Sequence, residues 1–332
     1  MTHVLDRFVG WLLSKDTQSQ ATPASARTFR RHTTWCWNVT PSLPSTGQIY
    51  HQIQLDGLYL SSRWCILIAL GDGHVIDWQW CDKEKTASWQ ALLERIAPPQ
   101  LVILDGGPGA AAALAHLWPD TPVQRCLVHL QRGVRRQITL RPKTAAGREL
   151  RRLSLALTKI TTPEQAATWM TALNTWHTRH KDLLAERTYA TDTTTPHAWW
   201  YTHERLRKAY NSLATPLKKN TVFTYLDPTL TGFTPEATTN RIEGGVNAQI
   251  RLLLKHHRGL STDHQRRAIE WLLTSYADPQ PTPRTFLTPE HYTPTPTTPP
   301  PTTEPVGPAA YDNNFSWEDG NGLQQGWAGR SH

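Results

Sequence analysis

At the N-terminal end of the chain, the spacing of hydrophobic residues predicts two short helices. The first, residues 3–14, has one apolar stripe formed by Val4, Phe8, Trp11 and Leu12. A second helical stretch follows at residues 25–39, where Arg30 and Arg31 stand next to Phe29. Two short helices with basic residues on the second are typical of a helix-turn-helix. A helical pair packed on the core is the alternative, and the pattern leaves both open.

From residue 49 the pattern changes to that of strands. Apolar and polar residues alternate over 49–56, and the apolar run 63–70 and HVIDWQW flank Gly71-Asp72-Gly73 as a hairpin. LVILDGG is typical of a buried strand ending at Asp105, and VQRCLVHL indicates another strand. Helices are predicted between these strands, over 86–96 and 109–117. The order predicts an α/β fold in which helices cover a central mixed sheet.

The second half of the chain has a helical pattern almost throughout, with further helices predicted at 244–255 and 262–276. Eleven prolines stand between Pro279 and Pro308 among many threonines, a composition that cannot bury enough surface to order itself. We therefore predict five segments: an N-terminal helical DNA-binding segment (1–43), a first part of the core (44–128), a helical insertion (129–237), a second part of the core (238–278) and a disordered tail (279–332).

Composition excludes several classes of protein. No run approaches the roughly 20 apolar residues of a membrane span. The amphipathic start lacks the layout of a signal peptide. The four cysteines are widely scattered without a C-x-x-C pair, which argues against a disulfide framework or a self-contained zinc ribbon. We expect a cytoplasmic protein associated with the nucleoid.

Charge points to a polyanionic partner. The chain carries a net charge of +8, and the segment between Arg125 and Lys159 holds ten Lys and Arg residues with one acid, Glu149. A solvated helix surface is the alternative, but so many unbalanced positive charges repel one another unless phosphates lie against them. The fifteen tryptophans are expected to be mostly buried, although the adjacent Trp199 and Trp200 could not both point inward from one predicted helix. An aromatic and basic surface suits unpaired or flipped bases. The candidate DNA contacts are Arg30, Arg31, Arg132, Arg135, Arg136, Trp199, Trp200, Lys255, His256 and Arg258.

Two carboxylates follow predicted strands. Asp56 is expected to end the first strand and Asp105 the fourth, and glycines flank both. On parallel neighbouring strands both would emerge at one sheet edge, where two acids repel unless a cation lies between them. Hard oxygen ligands favour Mg²⁺ or Mn²⁺, and the glycines would let a phosphate approach. Asp-Gly is also a common turn pair, so either acid alone could simply cap a turn.

A third carboxylate, Glu243, precedes Val246 and Ile250 by three and seven positions. This spacing puts it on the helix stripe that faces the sheet, which is costly for a carboxylate unless something binds it. Asn240 stands three residues earlier, so the pair also resembles a capping box, in which Glu243 would bond back to the helix start. The local pattern leaves both interpretations open.

These motifs together resemble bacterial Mutator-type insertion-sequence transposases. The resemblance covers roughly residues 27–277 and is carried by QLDGLYL, VILDGGPGA, RCLVHLQRGV and TTNRIEGGVNAQIR. It implies an RNase H-like catalytic domain with a helical insertion before the last acid, in which Asp56, Asp105 and Glu243 form a DDE metal triad. Many relatives place a Cys-rich zinc ribbon ahead of the helix-turn-helix. None is seen here, so terminal-repeat recognition is expected to rest on helices alone or on residues upstream.

Cys126 and His129 match the family's C-x-x-H signature. Because a closed zinc site needs four ligands, we expect a structural or positioning role for this pair. The implied reaction is DNA cleavage and strand transfer with two Mg²⁺ or Mn²⁺ ions. The implied partners are double-stranded DNA, both transposon terminal inverted repeats and target DNA, and a second copy of the chain in a homodimer. The alternatives are an RNase H-like nuclease without strand transfer and a catalytically silent, transposase-derived DNA-binding protein.

Overall fold

The computed structural model describes residues 2–60, 64–191 and 197–292. The helices are α1 (Thr2–Leu13), α2 (Ala26–Thr33), α3 (Thr86–Leu93), α4 (Pro108–Leu117), α5 (Leu127–Ile138), α6 (Ala145–Ala156), α7 (Pro163–Ala185), α8 (Glu204–Lys218), α9 (Asn247–His256) and α10 (Thr262–Thr274). The strands are β1 (Gln52–Tyr59), β2 (Cys65–Gly71), β3 (His74–Cys81), β4 (Leu101–Leu104), β5 (Val123–Arg125), β6 (Arg187–Tyr189) and β7 (Trp199–Tyr201). Among the described residues, none of the helices combines the length and the apolar character that crossing a membrane requires.

The main sheet is mixed, as predicted, with five strands in the order β3-β2-β1-β4-β5. Strands β1, β2 and β3 are antiparallel, whereas β4 and β5 run parallel. The predicted β2–β3 hairpin turns at Asp72 and Gly73, whose φ angles of 48° and 98° are those of a two-residue turn that matches strand twist. The chain therefore has an α/β fold, and it divides into two compact units.

The first unit comprises residues 1–98, 108–119 and the chain from residue 240 on. One face of β1–β3 presents apolar side chains that pack with those of α1, α9 and α10 in a single core. This core includes Leu58, Ile68, Ile250 and Ile269. Period-2 positions on the strands and helical stripes on α9 and α10 thus meet as the sequence pattern implies.

The N-terminal helices pack on this core as a pair. Phe8 and Leu12 of α1 and Phe29 of α2 are buried, and the Trp11 and Phe29 rings lie 5.3 Å apart. Twelve residues, 14–25, connect the two helices, whereas a helix-turn-helix has a turn of about three or four residues. Of the two interpretations that the sequence leaves open, the structure therefore favours the packed helical pair.

The chain after α10 stays ordered further than the sequence predicts. Short 3₁₀ turns at Pro283–Phe286 and Pro289–Tyr292 lie within the segment that the sequence assigns to a disordered tail. The ordered part thus extends beyond residue 279, and the rest of the predicted tail, 293–332, lies outside the described residues.

Side-chain contacts attach this segment to the first unit. The Arg284 guanidinium donates two hydrogen bonds to Asp6 of α1. Phe286 lies edge-on to Trp271 of α10. Polar and aromatic contacts therefore hold a segment whose composition alone indicates disorder.

The second unit comprises residues 99–107 and 120–239, and so includes the predicted insertion together with β4 and β5. Helices α5, α6, α7 and α8 form its core, in which Trp169 and Trp176 are buried. The run VQRCLVHL is a strand only over Val123–Arg125, because the helix α5 begins at Leu127.

The insertion also contains an antiparallel pair, β6 and β7, where the sequence pattern predicts only helices. Trp199 and Trp200 therefore lie on a strand and point to opposite faces, not around one helix as expected. Three-residue strands are too short to produce a detectable alternation in the sequence, which explains why the pattern missed them.

Candidate functional site

Asp56 lies in the middle of a strand and not at its end. It stands opposite Ile68 in the β1–β2 register, and the pairing continues through Gly57 and Leu58 to Tyr59. The expectation that Asp56 ends the first strand is therefore corrected. Strand pairing continues before and after Asp56, so its backbone is held in place. Its side chain is half-buried.

Asn247 is the clearest partner of Asp56. Its amide Nδ2 donates a hydrogen bond of 2.7 Å to Asp56 Oδ2. Asn247 opens α9 and is only 2% exposed, and within the described residues its Oδ1 has no hydrogen-bond partner. The sequence pattern did not single out Asn247, although its position four residues after Glu243 would place both on one helix face.

Glu243 lies one turn before Asn247, in a π-helical segment, Arg241–Val246, that leads directly into α9. The predicted start at Gly244 is therefore three residues late. The Glu243 side chain is half-buried, while Val246 is buried, as the predicted stripe requires. Asn240 has helical backbone angles and its side chain makes no capping hydrogen bond. The capping-box interpretation therefore lacks one of its two bonds, and π-turns occur frequently at functional sites.

A further acid stands close to β1. The Glu84 carboxylate occupies the space where a Cβ on Gly57 would lie, and the Glu84 backbone N–H donates to the Tyr59 hydroxyl at 3.2 Å. Glu84 belongs to the loop between β3 and α3. Gly57 thus makes room for a side chain of this protein, and the approach of a phosphate to this glycine stays a prediction.

Asp105, in the second unit, directly follows β4 as predicted. Gly107 N–H donates to Asp105 Oδ1 at 2.8 Å, and Arg125 Nη2 donates to the Asp105 carbonyl at 2.6 Å. The Arg125 guanidinium fills the space that a Cβ on Gly106 would need, and Gly106 has φ +91°. Burial lowers the pKa of Arg125, and the nearby Asp105 charge acts in the opposite direction. Contacts within the second unit thus hold the loop that carries Asp105.

Cys126 and His129 form a pair at the start of α5. Cys126 is fully buried, its N–H donates to the Leu104 carbonyl at 2.8 Å, and its Sγ accepts from Thr239 N–H at 3.3 Å. Burial raises the pKa of the Cys126 thiol, but hydrogen bonds from His129 and Thr239 outweigh it, so the pKa lies below its ordinary value. These contacts join the start of α5 to the end of β4, next to Asp105, as a positioning role requires.

The predicted DNA contacts fall in both units. In the first unit, Arg30 and Arg31 are exposed on α2, and Lys255, His256 and Arg258 are exposed around the end of α9. In the second unit, Arg132, Arg135 and Arg136 are exposed on α5. Trp199 and Trp200 are 36% and 43% exposed. Each of these ten side chains is therefore at least partly exposed to solvent, and their contact with DNA stays a prediction.

The sequence model of one family, described as Transposase, Mutator family, matches residues 45–212, about half of the chain. The matched range includes Asp56, Asp105, Cys126 and His129, whereas Glu243 and Asn247 lie after it. No curated protein matches the chain. From this match over half of its length, the chain belongs to the Mutator family of transposases, enzymes that bind, cleave and transfer DNA.

Proposed function

We propose that this transposase cleaves DNA at the terminal inverted repeats of a bacterial insertion sequence and joins the ends to target DNA. Asp56, Asp105 and Glu243 act as a DDE triad that holds two Mg²⁺ or Mn²⁺ ions in an RNase H-like domain. The observation that carries the proposal is the 2.7 Å hydrogen bond from Asn247 to Asp56. It ties the β1 carboxylate to the helix that carries Glu243 one turn earlier.

The side chains around Asp56 suit a hard cation. Asp56 and Glu243 offer carboxylate oxygens, the ligands that Mg²⁺ and Mn²⁺ prefer. The buried Asn247 Oδ1, which has no hydrogen-bond partner among the described residues, adds an oxygen that bound water or a cation would satisfy. The donor set therefore fits the proposed ions.

The reaction breaks a P–O3′ bond of DNA and forms a P–O bond to water, or later to a 3′-hydroxyl. Metal ions, when bound, would activate the attacking oxygen and stabilise the leaving one. Asn247 would keep the Asp56 carboxylate oriented, since its amide N–H group holds one of the two oxygens. Arg125 and Gly107 would hold the Asp105 backbone and carboxylate in place. The exposed basic residues of both units would bind the DNA backbone.

The test uses Asp56→Asn, Asp105→Asn and Glu243→Gln, which remove charge with little change in shape. Each is expected to abolish Mg²⁺-dependent cleavage and strand transfer on DNA that carries the terminal repeats, while binding of that DNA persists. Glu94→Gln, a change at an exposed acid of the first unit, is the matched control and keeps full activity. A fully active Glu243→Gln protein contradicts the triad.

Product analysis separates the proposal from its alternatives. Joined products that depend on Mg²⁺ and on two repeat-bearing ends support a transposase, and such an enzyme is expected to pair the ends as a homodimer. Cleaved but unjoined ends would indicate an RNase H-like nuclease. Salt-sensitive binding to the repeats without any metal-dependent product would indicate a silent DNA-binding protein.

A further inference from the structure

The β6–β7 pair in the second unit separates two neighbouring tryptophans. Because successive strand residues point to opposite faces, Trp199 and Tyr201 share one face and Trp200 lies on the other. Trp199 stands opposite Tyr189 and Trp200 opposite Thr188. The two indoles therefore have different surroundings although they are adjacent in the chain.

The face of Trp199 is occupied by the protein's own cations. The Arg187 guanidinium lies 4.0 Å from the Trp199 ring centroid, and that of Arg207 lies 3.8 Å from the Tyr201 centroid. Arg207 is also fixed by a 3.0 Å hydrogen bond to the Leu184 carbonyl. Each of these rings thus already has a guanidinium of the protein stacked on one side, although Trp199 keeps 36% of its surface exposed.

The opposite face opens into a cleft. Trp200 lines it together with residues 201–203 that follow it, the connection between α5 and α6 and the start of α8. The volume of the cleft is about 520 Å³. This lies within the roughly 300–1,000 Å³ of small-ligand sites. Trp200 is 43% exposed. An indole half open to a cleft of this size has room for a flat ring against it.

Cations outnumber anions around this cleft. Arg141, Lys143 and Arg205 line it. Glu204 also lines it, but its carboxylate lies 2.6 Å from Lys208 Nζ. Arg205 Nη2 is held by the Arg136 carbonyl at 3.2 Å. The cleft thus combines an exposed aromatic ring with an excess of positive charge.

We propose that this cleft binds an unpaired nucleotide of the DNA substrate, with the base on Trp200 and the adjoining phosphates at Arg141, Lys143 and Arg205. In a duplex both faces of each base are covered by neighbouring bases, so an aromatic side chain stacks only on a base that is unpaired or unstacked. Base stacking on an aromatic ring beside a basic groove is the physical basis of single-strand binding. The proposal rests on the proposed function, since it takes DNA as the substrate.

The test compares single-stranded and duplex oligonucleotides of one sequence, binding to the full chain in EDTA, by fluorescence anisotropy. Trp200→Ala is expected to weaken single-strand binding by about tenfold and duplex binding by less than about twofold, while Trp200→Phe keeps most of the affinity, since a phenyl ring also stacks. Trp199→Ala is the matched control, because the Trp199 ring already stacks with the Arg187 guanidinium and Trp199 does not line the cleft. It leaves single-strand binding within about twofold of the original.

A photocrosslink keeps the test independent of folding in the alanine variant. A strand substituted with bromodeoxyuridine is expected to crosslink to the peptide that contains Trp200 in the unmodified protein. A crosslink only elsewhere, equal losses for single-stranded and duplex DNA, or equal effects of Trp199→Ala and Trp200→Ala overturn the proposal.

Failure of this proposal and failure of the proposed function give different results. Binding in EDTA requires no catalysis, so Glu243→Gln should bind the single strand like the unmodified chain. Unimpaired cleavage by Glu243→Gln contradicts the triad and leaves the Trp200 result standing. If cleavage needs all three acids but Trp200→Ala leaves single-strand binding unchanged, only the proposed role of the cleft is contradicted.

Discussion

At the scale of single residues, the candidate site depends on side chains that hold the acids in place. Asn247 holds Asp56 from α9, and Arg125 holds the Asp105 backbone from the end of β5. Neither residue is acidic, and neither would ligate through the group that makes the observed bond. Such partners nonetheless affect metal sites strongly, because they orient the ligands.

Asn247→Ala removes the hydrogen bond to Asp56 without changing a charge. We expect the Mg²⁺ concentration for half-maximal cleavage to rise, or the maximal rate to fall, by about 10–100-fold, the usual effect of losing such a partner. Titration of the cleavage rate with Mg²⁺ measures both quantities. Gln249→Ala, on an exposed position of the same helix, is the control. An unchanged Mg²⁺ titration for Asn247→Ala would show that the Asp56 carboxylate needs no such support.

A side chain at Gly106 is disfavoured for two independent reasons. Its φ of +91° disfavours any residue with a Cβ, and the Arg125 guanidinium fills the space that a Cβ needs. Gly106→Ala is therefore expected to lower the melting temperature by several °C, corresponding to roughly 1–3 kcal/mol, and to reduce cleavage. Thermal unfolding by circular dichroism and the cleavage assay measure the two effects.

Gly10→Ala is the control for Gly106→Ala. Gly10 is an exposed residue inside α1, and an added Cβ meets no described atom within 4 Å. Because alanine is favoured over glycine in a helix by about 1 kcal/mol, the melting temperature should stay the same or rise. A melting temperature for Gly106→Ala equal to that of the unmodified protein would contradict the account of this loop.

At the scale of elements, long periodic segments were predicted well and short or irregular ones were not. The helices α1, α3, α4 and α10 and the hairpin of β2 and β3 are confirmed, with ends displaced by a few residues. The β6–β7 pair and the π-turn before α9 were missed, because three-residue strands and a single wide turn leave no period to detect. The ordered segment 283–292 was also missed, because its proline-rich composition is typical of disorder although its apolar side chains pack on the core.

Phe286→Ala tests how the segment after α10 is held. The Phe286 ring lies 5.6 Å from that of Trp271, edge-on, and Trp271 is buried in the core of the first unit. We expect this change to destabilise the protein by about 1–2 kcal/mol, because apolar contact area is lost. Arg284→Ala, which removes an exposed ion pair with Asp6, should cost less than about 1 kcal/mol. Urea unfolding compares the two variants, and an equal or reversed order would contradict the packing argument.

At the scale of the whole molecule, the net charge of +8 is distributed over exposed basic sites in both units. If net charge alone drives DNA binding, removing two positive charges should weaken binding equally wherever they lie. If DNA binds a defined surface, the loss of affinity should depend on which charges are removed. Two exposed pairs of basic residues allow the comparison: Arg30 and Arg31 of α2, and Lys218 and Lys219 at the end of α8. Only the first pair is a predicted DNA contact.

Arg30→Ala together with Arg31→Ala is expected to weaken duplex binding and to reduce the slope of log Kd against log salt by about 1–2, since each phosphate contact contributes about 0.9. Lys218→Ala with Lys219→Ala removes the same charge and should leave the slope unchanged. Binding isotherms at several salt concentrations measure the slopes. Equal effects of the two double variants would mean that α2 holds no dedicated DNA surface.

The sequence by itself determined the α/β class, most of the helices and strands, and the acids from which the triad is proposed. These follow from residue type and from periods of about two and 3.6 residues, which act over neighbouring positions. Only the tertiary structure decided that Asn247 bonds to Asp56 across 191 positions, that Arg125 fills the space beside Gly106, and that Trp200 faces a cleft while Trp199 stacks with Arg187. Such contacts join residues that are far apart in the sequence, and the shape and burial of the side chains select the partner. A local periodicity of the sequence therefore contains no information about them.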